Sequence, residues 1–151
     1  MFNEDNVTIY NRVKGKNGYT YYRTVLTGVE VQQKRSATVS NILNIAYSTS
    51  IFIDKPVHNG KSYVSEKEFL QLSEKDRQKY FTFGTGDKII SDVVEKEVNA
   101  DFSITQLEAA YEVLTIKGLK NFPCHFEVSA VLWLKLNDIL IQVIKFYLKD
   151  I

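Results

Sequence analysis

Cysteine is nearly absent: Cys124 stands alone among 151 residues, so no internal disulfide can brace the chain. A surplus of either charge is missing too. Nineteen basic and eighteen acidic side chains leave a formal charge of +1, which supplies no long-range positive field to gather nucleic acid and no bias toward acidic substrates. The opening residues Met1, Phe2, Asn3, Glu4 and Asp5 hold neither a basic leader nor an apolar stretch of the signal-peptide kind, and cytoplasmic synthesis and folding are expected. With 44% apolar and 25% charged residues and only two prolines, the composition is neither disordered nor fibrous. The length fits one domain with one core.

Reactive constellations are equally sparse. His58 and His125 lie far apart, and neither shows the spacing of a structural zinc site or an HExxH metalloprotease. Cys124 and His125 are adjacent, but neighbours on a strand point to opposite faces, so they cannot form an activated pair. The run Gly84-Thr85-Gly86-Asp87 resembles a phosphate loop only superficially. It lacks the GK[ST] ending and leads into a strand, where a phosphate loop needs a helix N-terminus. Glu95 and Glu97 fit a solvated strand face better than an acid–base pair. The expectation is a non-enzymatic protein with no catalytic residues, no cofactor and no bound metal.

What the sequence does hold is aromatic and β-branched residues. Nine Tyr and nine Phe bring the aromatic content to 13% with the single Trp, and such side chains favour strands and large contact surfaces. Asn6 to Arg12 alternates, with Val7, Ile9 and Asn11 on one side and Thr8, Tyr10 and Arg12 on the other. Lys14 to Gly18 is a turn in which Asn17-Gly18 suits positive φ, and a second strand returns over Tyr19 to Lys34 with a bulge or bend at Gly28. Ser36 to Ser50 shows no period and predicts a mobile or insertion loop. Ser50 to Ile53 predicts a short third strand stopped by Pro56.

Ser65-Glu66-Lys67-Glu68 is a capping box, the Ser65 hydroxyl accepting from the Glu68 amide while the Glu68 side chain reaches back, and Ser73-Glu74-Lys75-Asp76 repeats the start signal, so two short helical turns or one broken helix are expected. A glycine turn at Phe83 to Asp87 precedes a predicted fourth strand, Lys88 to Val98, bent near Ser91-Asp92. Ser103-Ile104-Thr105-Gln106 is a capping box for a short helix, followed by a strand over Tyr111 to Leu119, a turn-bearing connection over Lys117 to Pro123, and a closing strand over His125 to Val131. Past that point, Lys135, Asp138, Gln142, Lys145 and Lys149 recur at spacings of three and four, which predicts an amphipathic helix. Trp133, Leu136, Leu140, Ile144 and Tyr147 would line its apolar side as a partner interface. Its charges forbid a bilayer span, each costing about 2.5 to 3.5 kcal/mol near the membrane centre.

The fold expected from these patterns is mainly β: a small antiparallel barrel or sandwich with short helical insertions, residues 1–130, and a C-terminal amphipathic helix, residues 131–151, packed on the domain or on a neighbouring subunit. An alternative function is a single-strand nucleic-acid-binding β-barrel, in which Lys14, Lys16, Lys34 and Arg35 touch phosphates and Tyr19, Tyr21 and Tyr22 stack bases. Glu66, Glu68, Glu74 and Asp76 offset those cations, and sequence-specific recognition is not expected.

Taken in order, Val7-Thr8-Ile9-Tyr10-Asn11-Arg12, Tyr22 to Val29, Ile51-Phe52-Ile53, Gly86-Asp87-Lys88-Ile89-Ile90 and His125-Phe126-Glu127-Val128 form a series. The series resembles small uncharacterised proteins of the structural-gene clusters of phages and prophages of Gram-positive bacteria, and is similar to head–tail connector proteins of the head-completion or stopper type. The likeness spans residues 6 to 130 and leaves out the C-terminal segment. It implies a virion structural protein made in the bacterial host cytoplasm, a possible homo-oligomer whose partners are other phage structural proteins, a portal-side adaptor or a tail ring, and not a membrane. Thr38 to Thr49 and Pro56 to Phe83 would then be partner-contacting insertions, with Lys34, Arg35, Asn41, His58 and Lys61 as candidate assembly-loop residues.

Overall fold

A computed structural model describes residues 5–36, 46–54, 57–123 and 125–133. Its main feature is a closed six-stranded barrel in the order β1-β2-β3-β9-β8-β7, all neighbours antiparallel. The strands are β1 (Asp5–Gly15), β2 (Gly18–Ser36), β3 (Ala46–Ile53), β7 (Lys88–Ile90), β8 (Val113–Asn121) and β9 (Phe126–Trp133). Closure follows from alternation. Val7 and Ile9 of β1, Leu26 and Val29 of β2, Ile51 and Ile53 of β3, Ile89 of β7, Leu114 and Ile116 of β8, and Val128 and Ala130 of β9 share one buried cluster. Each larger side chain among them contributes roughly 1.5 to 3 kcal/mol by leaving water, and closing the sheet pairs the strand edges around the barrel itself.

The β1–β2 hairpin forms where expected. Gly15 pairs with Gly18 across a two-residue turn, and Gly18 takes φ of 113°; Asn17 does not share the positive φ expected of it. Gly28, at φ of 66°, is the extra residue between the pairs Asn6↔Thr27 and Asp5↔Val29. It is therefore the predicted bulge, and it bends β2 where the strand leaves β1 for β3.

Four expectations need correction. The loop read over Ser36 to Ser50 is β3 from Ala46 onward, so the third strand is eight residues long and not short. Its hydroxyl-rich sequence hid a strand that is paired on both sides, by β2 and β9. The fourth strand keeps its pairing only over Lys88–Ile90, and residues 91–98 run as irregular chain across the outside of β1. Side chains replace the ladder there: Thr8 Oγ1 donates to Asp92 O at 2.7 Å and accepts from Val94 N at 2.9 Å, while Tyr10 Oη donates to Lys96 O at 2.6 Å. The turn-bearing connection expected over Lys117 to Pro123 starts only after Asn121, where Phe122 N donates to His125 O at 3.0 Å, because β8 continues to Asn121 past a bulge between Ile116 and Gly118. Finally, Val131 to Trp133 belong to β9, paired with Ala46 to Ser48, and not to a helix. Leu136, Leu140, Ile144 and Tyr147 lie outside the described residues.

The segment between β3 and β7 is no loose insertion. It forms a three-stranded sheet of β4 (Val57–His58), β5 (Lys61–Tyr63) and β6 (Tyr80–Phe81), with helices α1 (Glu66–Gln71) and α2 (Glu74–Arg77) between β5 and β6. Asn59 and Gly60 join β4 to β5 with φ of 53° and 75°, the two positive values a type I′ hairpin demands. Ser65 and Ser73 cap the two helices, each accepting from the amide three residues on, so Ser65 forms its half of the expected capping box and the two short turns are separate helices. Phe81 and Phe83 enter the barrel core, where Tyr63 and Phe126 pack on them with ring centroids 5.6 to 6.1 Å apart. Between β7 and β8, α3 (Ile104–Ala110) carries the full predicted capping box at Ser103 and Gln106. With the 91–98 strap it lays Leu107 and Val94 over Tyr10, Ile90 and Val113 of the barrel strands in a second, outer core.

Candidate functional site

The inward face of β1 runs Val7, Ile9, Asn11, and the third position is polar where the others are apolar. A buried amide must find partners. Asn11 Nδ2 donates to Thr82 O at 2.6 Å and to Asp87 Oδ2 at 2.8 Å, and its Oδ1 accepts from Thr82 N at 3.3 Å. One side chain thus serves as a substitute strand for the backbone of Thr82, between the two core phenylalanines. Asp87 continues the clip: Oδ1 accepts from Arg12 N at 3.0 Å, and Oδ2 also accepts from Gly84 N at 2.9 Å. Burial pushes Asp87 up to about 6 even though these three donors pull it down, and the neighbouring Glu66 carboxylate adds to the rise. The glycine turn is therefore a structural device. Gly84 leaves room for both carboxylates, since a Cβ there would sit 2.9 Å from Asp87 Oδ2 and 3.0 Å from Glu66 Oε1.

Arg12 and Tyr19 stand on the outward side of the same strands. The Arg12 guanidinium lies 4.5 Å from the Tyr19 ring centroid, and its other side rests on Gly86, where a Cβ would come within 2.7 Å of Cζ. Gly86 holds φ of 92°, so its lack of a side chain serves both the turn and this contact. Tyr19 is 46% exposed and Tyr21 packs beside it at 6.4 Å. Tyr22 faces the opposite way: it is buried edge-on against Phe69 at 5.8 Å and cannot stack a base. Arg77 holds that contact together by donating to Phe69 O and Leu70 O at the end of α1, with its guanidinium 5.8 Å from the Tyr22 ring.

The other predicted site residues scatter. His58 is buried, its Nδ1 accepting from Thr27 N at 3.2 Å while its ring meets Phe81 edge-on at 5.9 Å. Lys61 folds inward too: Nζ donates to Arg23 O at 2.7 Å and to Thr24 Oγ1 at 3.2 Å, and burial lowers its pKa. Neither is a loop residue reaching outward, because the β4–β5 hairpin lies against β2. Lys34 and Arg35 belong to β2, paired with Ser48 and Tyr47, and Asn41 lies outside the described residues. Glu95 and Glu97 are in the irregular strap and not on a strand; Glu97 pairs with Arg23 at 3.2 Å. Among the described residues no helix is long and apolar enough to cross a membrane.

Residues 2–131 match a family described as a family of unknown function, DUF6751. The chain belongs to that family. Its matched span includes every strand of the barrel but the last two residues of β9, so the clip, the plug of phenylalanines and the β1–β2 hairpin all lie inside it. No curated protein and no solved structure matches the chain.

Proposed function

We propose that this protein is a virion structural component of a phage or prophage, a head–tail connector of the stopper type that works by protein–protein assembly. The observation that carries the reading is β2. It runs unbroken from Gly18 to Ser36, pairs with β1 up to Val29 and with β3 from Glu30, and so passes from one end of the barrel to the other. At roughly 3.3 Å per residue its 19 residues reach on the order of 60 Å before the Gly28 bend is allowed for. A filled barrel with a β-arm at each end suits a part that bridges two neighbours, and the order of strand motifs resembles that of connector proteins.

The arm made of β2, β3 and β9 offers main-chain groups for assembly. Val31 N points away from β3 and donates to Asp5 Oδ2 at 3.0 Å, so by alternation the N–H groups of Gln33 and Arg35 face the same edge. No strand covers that edge beyond Val29 among the described residues. Such an edge accepts a strand from another subunit. Sedimentation velocity of the full chain tests this: concentration-dependent self-association is expected, and Gln33→Pro abolishes it while leaving the β3 ladder intact. A chain that stays monomeric at its highest soluble concentration, encoded in a metabolic operon away from portal, capsid and tail genes, refutes the reading.

A further inference from the structure

We propose that the outward face at the tip of the β1–β2 hairpin binds single-stranded nucleic acid without sequence preference, a function separate from the assembly reading and independent of it. From Arg12 to Tyr22 the sequence holds three cations, Arg12, Lys14 and Lys16, and no acid. The strand register makes this a surface: Tyr21 is opposite Arg12 and Tyr19 is opposite Lys14, so cation and aromatic alternate across one face. The tip is also a bare ribbon. β7 pairs with β1 only as far as Tyr10, and β3 pairs with β2 only from Glu30.

Tyr19 is the centre of the site. One face of its ring is held by the Arg12 guanidinium at 4.5 Å, and 46% of the residue remains exposed for a base to stack upon. Arg12 is itself fixed between that ring and Gly86, and the ion pair found among the described residues belongs to Arg23, so the Arg12 fork is held in place with its charge available. Lys14 stands directly opposite Tyr19, Lys16 follows in the exposed two-residue turn beyond the Gly15–Gly18 pair, and both supply further phosphate contacts. The balancing acid is Glu108, whose charge acts on Tyr21 along with those of Arg12 and Asp87; Asp87 is buried under the turn and engaged by three donors. An exposed aromatic beside phosphate-reaching cations binds a flexible strand through stacking and charge together.

Fluorescence anisotropy of a labelled oligothymidylate of about 20 nucleotides, longer than one stacking site needs, tests the proposal on the full chain. Binding is expected at low salt, weakening as log K against log salt with a slope of about −2, the value for three cations on a single strand. Tyr19→Ala should weaken binding by about five- to tenfold, the loss of one stacked base. Lys14→Gln with Lys16→Gln should flatten the slope to about −1. Each change lies at exposed positions, and circular dichroism confirms that the fold is kept. No anisotropy change at low salt overturns the proposal. So does equal affinity of Tyr19→Ala and wild type, or equal affinity for a duplex of the same length, since both mean that stacking on Tyr19 contributes nothing.

Discussion

Asp87 sets two effects against each other, and the pH dependence of stability decides between them. Three donors at 2.8 to 3.0 Å favour its ionised form, while burial at 3% exposure favours the neutral one. Burial wins, and the group sits at about 6 in place of its usual 3.8. A carboxyl whose pKa is higher in the folded state binds more protons there, so its contribution to stability is present below the unfolded value and is lost as pH rises through the folded one. The difference of about 2 pH units corresponds to about 3 kcal/mol, lost between about pH 4 and pH 6. Urea unfolding followed by far-ultraviolet circular dichroism, on wild type and Asp87→Asn across that range, isolates the group. The stability of wild type relative to the variant should fall by about 3 kcal/mol from pH 4 to pH 7. Glu66→Gln removes a nearby negative charge and should move the wild-type midpoint to lower pH. A difference that stays flat would show that the three hydrogen bonds cancel desolvation, and one that grows with pH that they outweigh it; either result overturns the raised Asp87 pKa.

Asn11→Ala breaks both ends of the clip and leaves the Thr82 backbone without its partner, so a loss of about 2 to 4 kcal/mol is expected in urea unfolding. Gly86→Ala forces a Cβ into the Arg12 guanidinium at φ of 92°, and should cost about 1 to 3 kcal/mol while displacing Arg12 from Tyr19, seen as a changed Tyr19 ring environment by nuclear magnetic resonance. Thr49 faces the barrel core with Ile51 and Ile53, and its buried Oγ1 has no hydrogen-bond partner among the described residues. Thr49→Val replaces that hydroxyl with a methyl group of similar shape and should raise stability by about 1 kcal/mol, read as a higher melting temperature.

The barrel was legible where local chemistry and fold agreed. Val7, Ile9 and Asn11 against Thr8, Tyr10 and Arg12 marked the two faces of β1, and Gly28 marked the bulge. The serine starts of α1, α2 and α3 needed only the hydroxyl and the amide three residues away. The misreadings arose where distant partners decide. Ala46 to Ser50 is strand because β2 and β9 pair with both its edges, which its own small polar residues do not announce. Val93, Val94 and Val98 resemble a strand, yet Thr8, Tyr10 and Arg23 side chains take the backbone of that segment away from the sheet. One local signal was there to be used: Asn59-Gly60 is a hairpin turn by sequence alone, and it would have placed His58 and Lys61 on paired strands and not in an assembly loop.

The polar residues inside the fold explain why that middle segment is integral to it. An apolar residue at position 11 would fill the barrel but offer nothing to Thr82, and the segment carrying Phe81 and Phe83 could then slide. Asn11 fixes it through both the N–H and the carbonyl of one residue, and Asp87 locks Asn11 in place while terminating β7 against Arg12 N. The same Arg12 whose backbone closes the clip presents its side chain on the outer face, against Tyr19 and Gly86. Inner clip and outer hairpin face therefore share a residue, and protonating or replacing Asp87 acts on the backbone that carries the guanidinium. A change of the buried carboxylate should be felt at the hairpin tip, and a coupling of that kind requires the order found here: polar anchor inward, cation outward, on consecutive residues of one strand.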